Sequence, residues 1–432
     1  MKNINTIKVN FKGGIIPPRD LYNILLAAGK SGMHYARFGL RQQLLLDVEI
    51  EELNNMTAEL DTLGLSYEIN KEEYPNIVSS YPAEEVFIIN TWLTENIYKE
   101  IFDSIEHLHR LKINISDANQ SFTPLLTGNI NWVASPAEPH FWYLFIRFPK
   151  TNIVYEWKDL VHTNDLAGMS LRIEETILQN SGKFYDNNEA NGDELYEKIK
   201  AASFHTKPAG APLALPPFNL PYYEGLNRYQ DKYWLGIYRR DELYGLKFLK
   251  EVCQLCLKTE IGQLCSTPWK TIIIKGIAEK NRKDWNDLLD KNQINVRHAA
   301  NELNFQVEDN NLEALKLKQH LVKYLNDDDT RTFGVCIGIK TRKKSEIFSS
   351  ILVLRKSLIH IGKWGFFHSY DILCAKDYNP NERTAFVFSS NNPKFVLAEQ
   401  LRRAVLSFYN YPGEEGAVQQ DIENQTEWTI TD

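Results

Sequence analysis

A repeat constrains this chain more than any other feature. In residues 1–70, Ile7, Val9 and Phe11 alternate as in a strand, Gly13-Gly14 mark a turn, and Pro17-Pro18 precede a helix. Leu21, Ile24, Leu25 and Ala28 fall at i, i+3, i+4 and i+7 of that helix, which Gly29 and Gly32 close. The next segment, ARFGLRQQLLLDVE, reads as a single strand ending in the apolar run Leu44 to Leu46. A second helix follows through Leu53, Met56 and Leu60 to Gly64. The same order returns between residues 233 and 293. YWLGIY reads as a strand, DELYGLKFLKEVCQLCLK as a helix with Leu243, Leu246 and Leu249 on one face, TPWKTIIIKGI as a strand, and KNRKDWNDLLDKN as a helix with Trp285, Leu288 and Leu289. Shifting by 228 residues places Arg37 on Cys265, Gln42 on Lys270, Leu46 on Ile274 and Leu60 on Leu288 without a gap. Two copies of a βαβα unit are expected.

Each copy precedes a longer α+β pattern. The first, 71–215, has VFIIN, KINIS, FWYLFIRF and IVYEW as strands and helices near 93–109 and 165–179. Its end, KPAGAPLALPPFNLP, carries five prolines and reads as a stiff extended connection into the second copy, 216–295. The second α+β region, 296–410, has TFGVCIGI and SSILVLRK as strands and helices near 311–325 and 393–408. Residues 411–432 are acidic, with no Lys or Arg from Gly413 onward, and read as a disordered tail.

Composition narrows the function. With 49 Lys+Arg against 56 Asp+Glu the net charge is −7, which argues against a nucleic-acid partner. A content of 43% hydrophobic and 12% aromatic residues suits a packed protein and excludes disorder for the bulk of the chain. No apolar run reaches the ~18 to 20 residues of a membrane span, and the start lacks a signal-peptide core, so a cytoplasmic protein without membrane association is expected. The five cysteines (Cys253, Cys256, Cys265, Cys336, Cys374) are odd in number and confined to the second half, as in a reducing compartment rather than a disulfide framework.

Gly13-Gly14, the helix from Leu21, and Arg37-Phe-Gly-Leu-Arg41-Gln42 resemble the half-domain of the nitrite and sulfite reductase family. In the second copy, Cys265-Ser-Thr267-Pro268-Trp269-Lys270 resembles a Thr-Pro-Trp variant of the same segment. The order half-domain, α+β domain, half-domain, α+β domain is similar to that family over nearly the whole chain. The resemblance implies an α+β fold of duplicated ferredoxin-like half-domains plus two nitrite/sulfite reductase-like α+β domains in pseudo-twofold arrangement. It also implies an oxidoreductase that uses sirohaem coupled to a 4Fe-4S cluster. Because sirohaem carries carboxylates and the substrates are oxyanions, cations at these positions are the expected cofactor-binding residues: Arg37 and Arg41 in the first copy, Lys270 and Lys275 in the second. Four apart on a regular strand, Arg37 and Arg41 would face one side.

The chain departs from the family at the metal. The resemblance implies C-x5-C and later C-x3-C after the second half-domain, four thiolates to anchor the cluster and bridge to the haem iron. The corresponding segments read NVRHAANELNFQVED, without cysteine, and DTRTFGVCIGIKTRKK, with Cys336 alone. A 4Fe-4S cluster in its usual form is therefore not expected, and Cys336 is the one candidate axial thiolate. Cys253 and Cys256 form a CxxC, but i and i+3 on an amphipathic helix is the pattern of buried core thiols. His107 and His109 near a helix end read as surface, and Arg342-Lys343-Lys344 as a solvated turn. No phosphate loop, dinucleotide fingerprint or nucleophile elbow is present.

Two functions follow. One is a divergent reductase holding a sirohaem-type tetrapyrrole or small oxyanion between its halves, with electrons from a separate ferredoxin or rubredoxin for which the acidic tail would be a docking segment. The other is a non-catalytic binding or assembly scaffold that has lost the cluster and the activity.

Overall fold

The computed structural model describes residues 4–88, 91–200, 202–342, 347–361, 364–381, 384–411 and 428–429. Most of the acidic tail and Lys343-Lys344 lie outside the described residues.

The first repeat unit comprises β1 (Ile4–Val9), β2 (Ile15–Ile16), α1 (Pro18–Lys30), β3 (Tyr35–Phe38), β4 (Leu44–Glu49), α2 (Leu53–Thr62) and β5 (Tyr67–Ile69). The first α+β domain follows with β6 (Val78–Ser79), α3 (Glu95–Ser104), β7 (Ile113–Asp117), β8 (Ile130–Ala134), β9 (Phe141–Arg147), β10 (Val154–Glu156), β11 (Asp159–His162), α4 (Leu166–Gln179), α5 (Ser181–Phe184), α6 (Gly192–Ile199) and β12 (Thr206–Pro208). The second repeat unit has β13 (Gly225–Tyr229), β14 (Lys232–Ile237), β15 (Tyr244–Gly245), α7 (Leu246–Lys258), β16 (Leu264–Ser266), β17 (Ile272–Ala278) and α8 (Arg282–Lys291). The second α+β domain has β18 (Phe305–Val307), α9 (Leu312–Asp327), β19 (Ile337–Lys340), β20 (Ile351–Ile361), β21 (Trp364–Ala375), β22 (Thr384–Asn392), α10 (Lys394–Tyr409) and β23 (Trp428–Thr429).

The two repeat units exchange strands. One sheet runs β15-β3-β4-β1-β5 and the other β13-β14-β17-β16-β2, so each unit completes the other's sheet with a two-residue strand. Helices α1 and α7 pack together over this pair of sheets, and the two units share one apolar cluster built from Leu21, Ile24 and Leu25 of α1 and Leu249, Val252 and Cys253 of α7. The α+β domains repeat a second pattern. In each, two parallel pairings (β6-β7-β8 and β18-β19-β20) lead into antiparallel strands (β9-β11-β12 and β21-β22-β23). The fold is thus mixed α+β with duplication at both levels.

Backbone geometry follows the 228-residue shift closely. Gly13 and Gly14 (φ 63° and 76°) correspond to Asp241 and Glu242 (62° and 61°), and Gln42 (61°) corresponds to Lys270 (58°). The turn hydrogen bonds repeat too: Gly39 N donates to Gln43 O and Thr267 N to Thr271 O. The register then slips by one. A β-bulge in β17, where Gly276 takes φ 78°, adds a residue, so that Met56 and Leu60 correspond to Trp285 and Leu289. Leu60 therefore matches Leu289 rather than Leu288.

Four other expectations are corrected. ARFGLRQQLLLDVE is two strands and a turn, since β3 ends at Phe38 and β4 begins at Leu44. TPWKTIIIKGI likewise opens with a turn at 267–271. Strand-like composition did not reveal the reversal because Gln42 and Lys270 adopt the left-handed conformation without being glycine. The described part of VFIIN is a turn in which Val86, Phe87 and Ile88 all donate to Ala83 O. Leu243 precedes α7 and is partly exposed.

Candidate functional site

The hairpin turns of the two repeat units meet the α+β domains, and the cations expected to bind a cofactor lie on or beside them. Because the strand ends at Phe38, Arg37 and Arg41 do not share a face. Arg37 forms a forked pair with Asp47 across the β3-β4 hairpin, Nη2 at 2.6 Å and Nε at 3.1 Å from Oδ2. Arg41 is buried in the turn, where Nε and Nη2 donate to Asn76 O (2.9 and 2.7 Å) and Nη2 to Ile113 O (2.9 Å). Its guanidinium ties the turn to the start of β7.

Lys270 is buried. Its ammonium lies 2.7 Å from Glu242 Oε2 and 3.2 Å from Asp309 Oδ1. Asp309, from the second α+β domain, also accepts from Leu40 N (3.1 Å) and Gln43 Nε2 (3.1 Å) of the first turn. Lys318 adds a further buried ammonium, 3.0 Å from Tyr238 Oη and 3.9 Å from Glu242 Oε1. Burial pushes the Lys318 ammonium below its ordinary range, and Glu242 opposes that shift. Lys275, at the bulge, contacts Glu84 Oε2 (2.8 Å) and the carbonyls of Tyr81 and Glu84 (3.1 Å each), and its ammonium lies over the Tyr81 ring. Burial raises the Glu84 carboxyl, with Lys275 pulling the other way. Each of the four predicted cations is therefore held by the protein's own carboxylates or carbonyls.

Cys336 is fully buried just before β19, where its sulfur accepts from Ser350 N (3.2 Å). It belongs to a core shared by three domains. Trp269 Nε1 donates to Phe122 O (2.7 Å), Tyr223 donates to Leu303 O, and the rings of Phe87, Phe122, Tyr223, Trp234 and Trp269 pack in edge or tilted contacts with centroids 5.1–5.9 Å apart. Phe348 and Leu303 enter the same core from the second α+β domain. The segments that the resemblance assigns to cluster ligation thus contribute apolar packing.

Sequence reasoning missed Gln42. Wholly buried, it donates through Nε2 to Ser79 O (3.1 Å) and Ser266 O (3.0 Å) and accepts from Ser79 N (2.8 Å), joining both repeat units to the first α+β domain. The signal was available: it occupies the repeat position of Lys270. Gly14 is its partner, because a Cβ there would come 2.5 Å from Ser266 O and 2.8 Å from Gln42 Nε2. The second copy replaces this Gly-Gln pair with Glu242-Lys270.

Among the described residues no group of three or more His, Cys, Asp or Glu is placed to hold a metal ion. The CxxC thiols of Cys253 and Cys256 sit in the core of α7, and all five cysteines are free and buried. A 4Fe-4S cluster needs several thiolates, and one sealed thiol does not supply them. Burial raises the thiols of Cys253, Cys265, Cys336 and Cys374 to about 12, and that of Cys256 further. A folded-state value above the unfolded one gives stability that is present below about pH 9 and lost as pH rises toward 12. Accordingly, a thiol-exchange chromophore at pH 8 should titrate none of the five cysteines in the native protein and all five in guanidinium. Stability should fall steeply between pH 9 and 11, each thiol contributing about 1 kcal/mol per pH unit. Rapid native labelling of Cys336 would show the core to be open.

The architecture is the α+β nitrite/sulfite reductase-like fold that the resemblance implies. Among solved structures, the chain is similar to that of the Mycobacterium tuberculosis NirA protein, with a TM-score of 0.70 and 13% identity over 96% of this chain and 82% of that one. At that identity the likeness is one of fold. No protein-family model and no curated protein sequence matches this chain. No described helix is long and apolar enough to cross a membrane.

Proposed function

We propose that this chain is a non-catalytic binding or assembly scaffold built on the nitrite/sulfite reductase-like fold. The observation that carries this reading is the continuous aromatic core around Trp269, Tyr223 and Phe122, with Cys336 sealed inside it. A reductase needs an electron entry route and a reactive metal face, whereas a close-packed interior of this kind serves rigidity. The neutralised cations support the same reading, since Lys270 and Lys275 would have to abandon buried carboxylates to hold a ligand.

The competing reading is a divergent reductase. There Arg37 and Arg41 would hold the carboxylates of a sirohaem-type tetrapyrrole or a small oxyanion, Lys270 and Lys275 would assist, Cys336 would be the axial thiolate, and a ferredoxin or rubredoxin would donate electrons. The fold similarity over 96% of the chain favours keeping it as the alternative. An absorption spectrum with iron and sulfide analysis, on protein expressed in a sirohaem-making host, separates the two. The scaffold reading expects a colourless, iron-free protein. A Soret band with a red-shifted chlorin band and about one iron per chain would replace it with the reductase, and loss of that band in the Arg37→Ala, Arg41→Ala double variant would assign the arginines.

A further inference from the structure

Histidines from separate segments stack beside β12 in the first α+β domain. The His162 ring, at the end of β11, belongs to both contacts: it lies 4.8 Å from the His205 ring with the planes 22° apart, and 6.2 Å from the His140 ring at 29°. Phe141 meets His162 and His205 edge to face at 5.3 and 5.4 Å, and Trp92 lies 5.4 Å from His140. The backbone is pinned at the same place, since His162 N donates to His205 O (3.0 Å) and Thr163 N to His140 O (2.9 Å).

A strap begins at this stack. β12 pairs with β11 at the edge of the sheet, and the proline-rich connection continues from it across one sheet face. Ala209 N donates to Lys158 O (3.1 Å), Tyr143 Oη donates to Ala211 O (3.1 Å), and Ala209, Leu213 and Leu215 pack on Val133, Tyr143 and Leu160.

Neutral imidazoles stack, whereas neighbouring imidazolium ions repel. The charged groups that act on His162 are His205, His140 and Asp165. Asp165 already accepts from His205 N (2.7 Å), and Lys207, which lies over the Phe141 ring, pairs with Glu138 (2.6 Å). Burial holds the His162 imidazole below its ordinary range, with His205 and His140 adding to the shift and Asp165 opposing it. A depressed histidine gives stability that is present above its unfolded value of about 6.5 and lost as pH falls from there toward the folded value.

We propose that His140, His162 and His205 form a proton-sensitive clasp on this strap. With the rings neutral, β12 and the connection stay on the sheet. Below about pH 6 like charges push the rings apart, β12 leaves β11, and Val133, Tyr143 and Leu160 are bared while the rest of the domain keeps its fold.

Hydrogen exchange of the full chain, read by mass spectrometry at about pH 7.5 and 5.5 and scaled for the intrinsic pH dependence of exchange, tests the clasp. Protection across 159–163 and 205–211 should fall by about fivefold or more at the lower pH, while that of β7 and β8 should not change. Salt at about 1 M should recover part of the loss. His162→Phe keeps a ring in the stack but no titrating proton, and should show equal protection at both pH values. Equal protection in the unaltered protein, a matching loss in β8, a loss that salt leaves unchanged, or a pH dependence retained by His162→Phe would each overturn the clasp. All but the last of these readings use the unaltered protein, so they stand even if the variant misfolds.

Discussion

Trp269→Ala lowers stability by about 3–5 kcal/mol, because it opens a cavity where three domains meet and leaves Phe122 O without its donor. The indole is nearly fully buried, packs against Tyr223, and anchors the second hairpin turn to the first α+β domain. Urea unfolding followed by both fluorescence and circular dichroism measures the loss. Since the core is shared, the two probes should shift together rather than one domain melting alone. Trp269→Phe, which keeps a ring but not the donor, should cost less. A loss below about 1 kcal/mol for the alanine variant would mean that the aromatic core does not join the domains, and the scaffold reading would lose its main support.

The second large effect tests the repeat. Lys270→Gln takes from buried Glu242 and from Asp309 the ammonium they share, leaving Glu242 only Lys318 at 3.9 Å, and should cost about 3–5 kcal/mol. Adding Glu242→Gly recreates at the second turn the Gly14-Gln42 pair of the first. It removes a carboxylate left with Lys318 alone as its cation and relieves a non-glycine residue at φ 61°. The double variant should therefore recover stability, with a coupling of at least about 1.5 kcal/mol in the thermodynamic cycle. Strict additivity would show that the two positions do not act as a pair, and Lys318, 3.9 Å from Glu242, would then be the partner to vary.

Much of the fold was legible because it depends on periodicity. The apolar positions of α1, Leu21, Ile24, Leu25 and Ala28, are all buried, as are Trp285, Leu288 and Leu289 of α8. The 228-residue shift pairs Gln42 with Lys270, positions that share the left-handed backbone conformation. The hairpin reversals were not legible, because Gln42 and Lys270 take a conformation that their residue types do not advertise. The strand exchange between the units was likewise hidden, since β2 and β15 are two residues each and carry no pattern.

The candidate site divides the same way. Residue types at 37, 41, 270 and 275 pointed to cations that could hold anions, and spacing alone cannot say what neutralises a cation. Asp47, Glu242, Asp309 and Glu84 pair with Arg37, Lys270 and Lys275, while the carbonyls of Asn76 and Ile113 hold Arg41. The sequence by itself determined the duplication, the α+β class and the shortage of thiols, because these depend on local period, order and count. Only the tertiary structure decided that the cations are spent on internal pairs, that Cys336 is sealed under aromatic rings, and that His140, His162 and His205 stack. Those are facts about neighbours far apart in the chain, and long-range proximity is set by packing rather than by any local pattern.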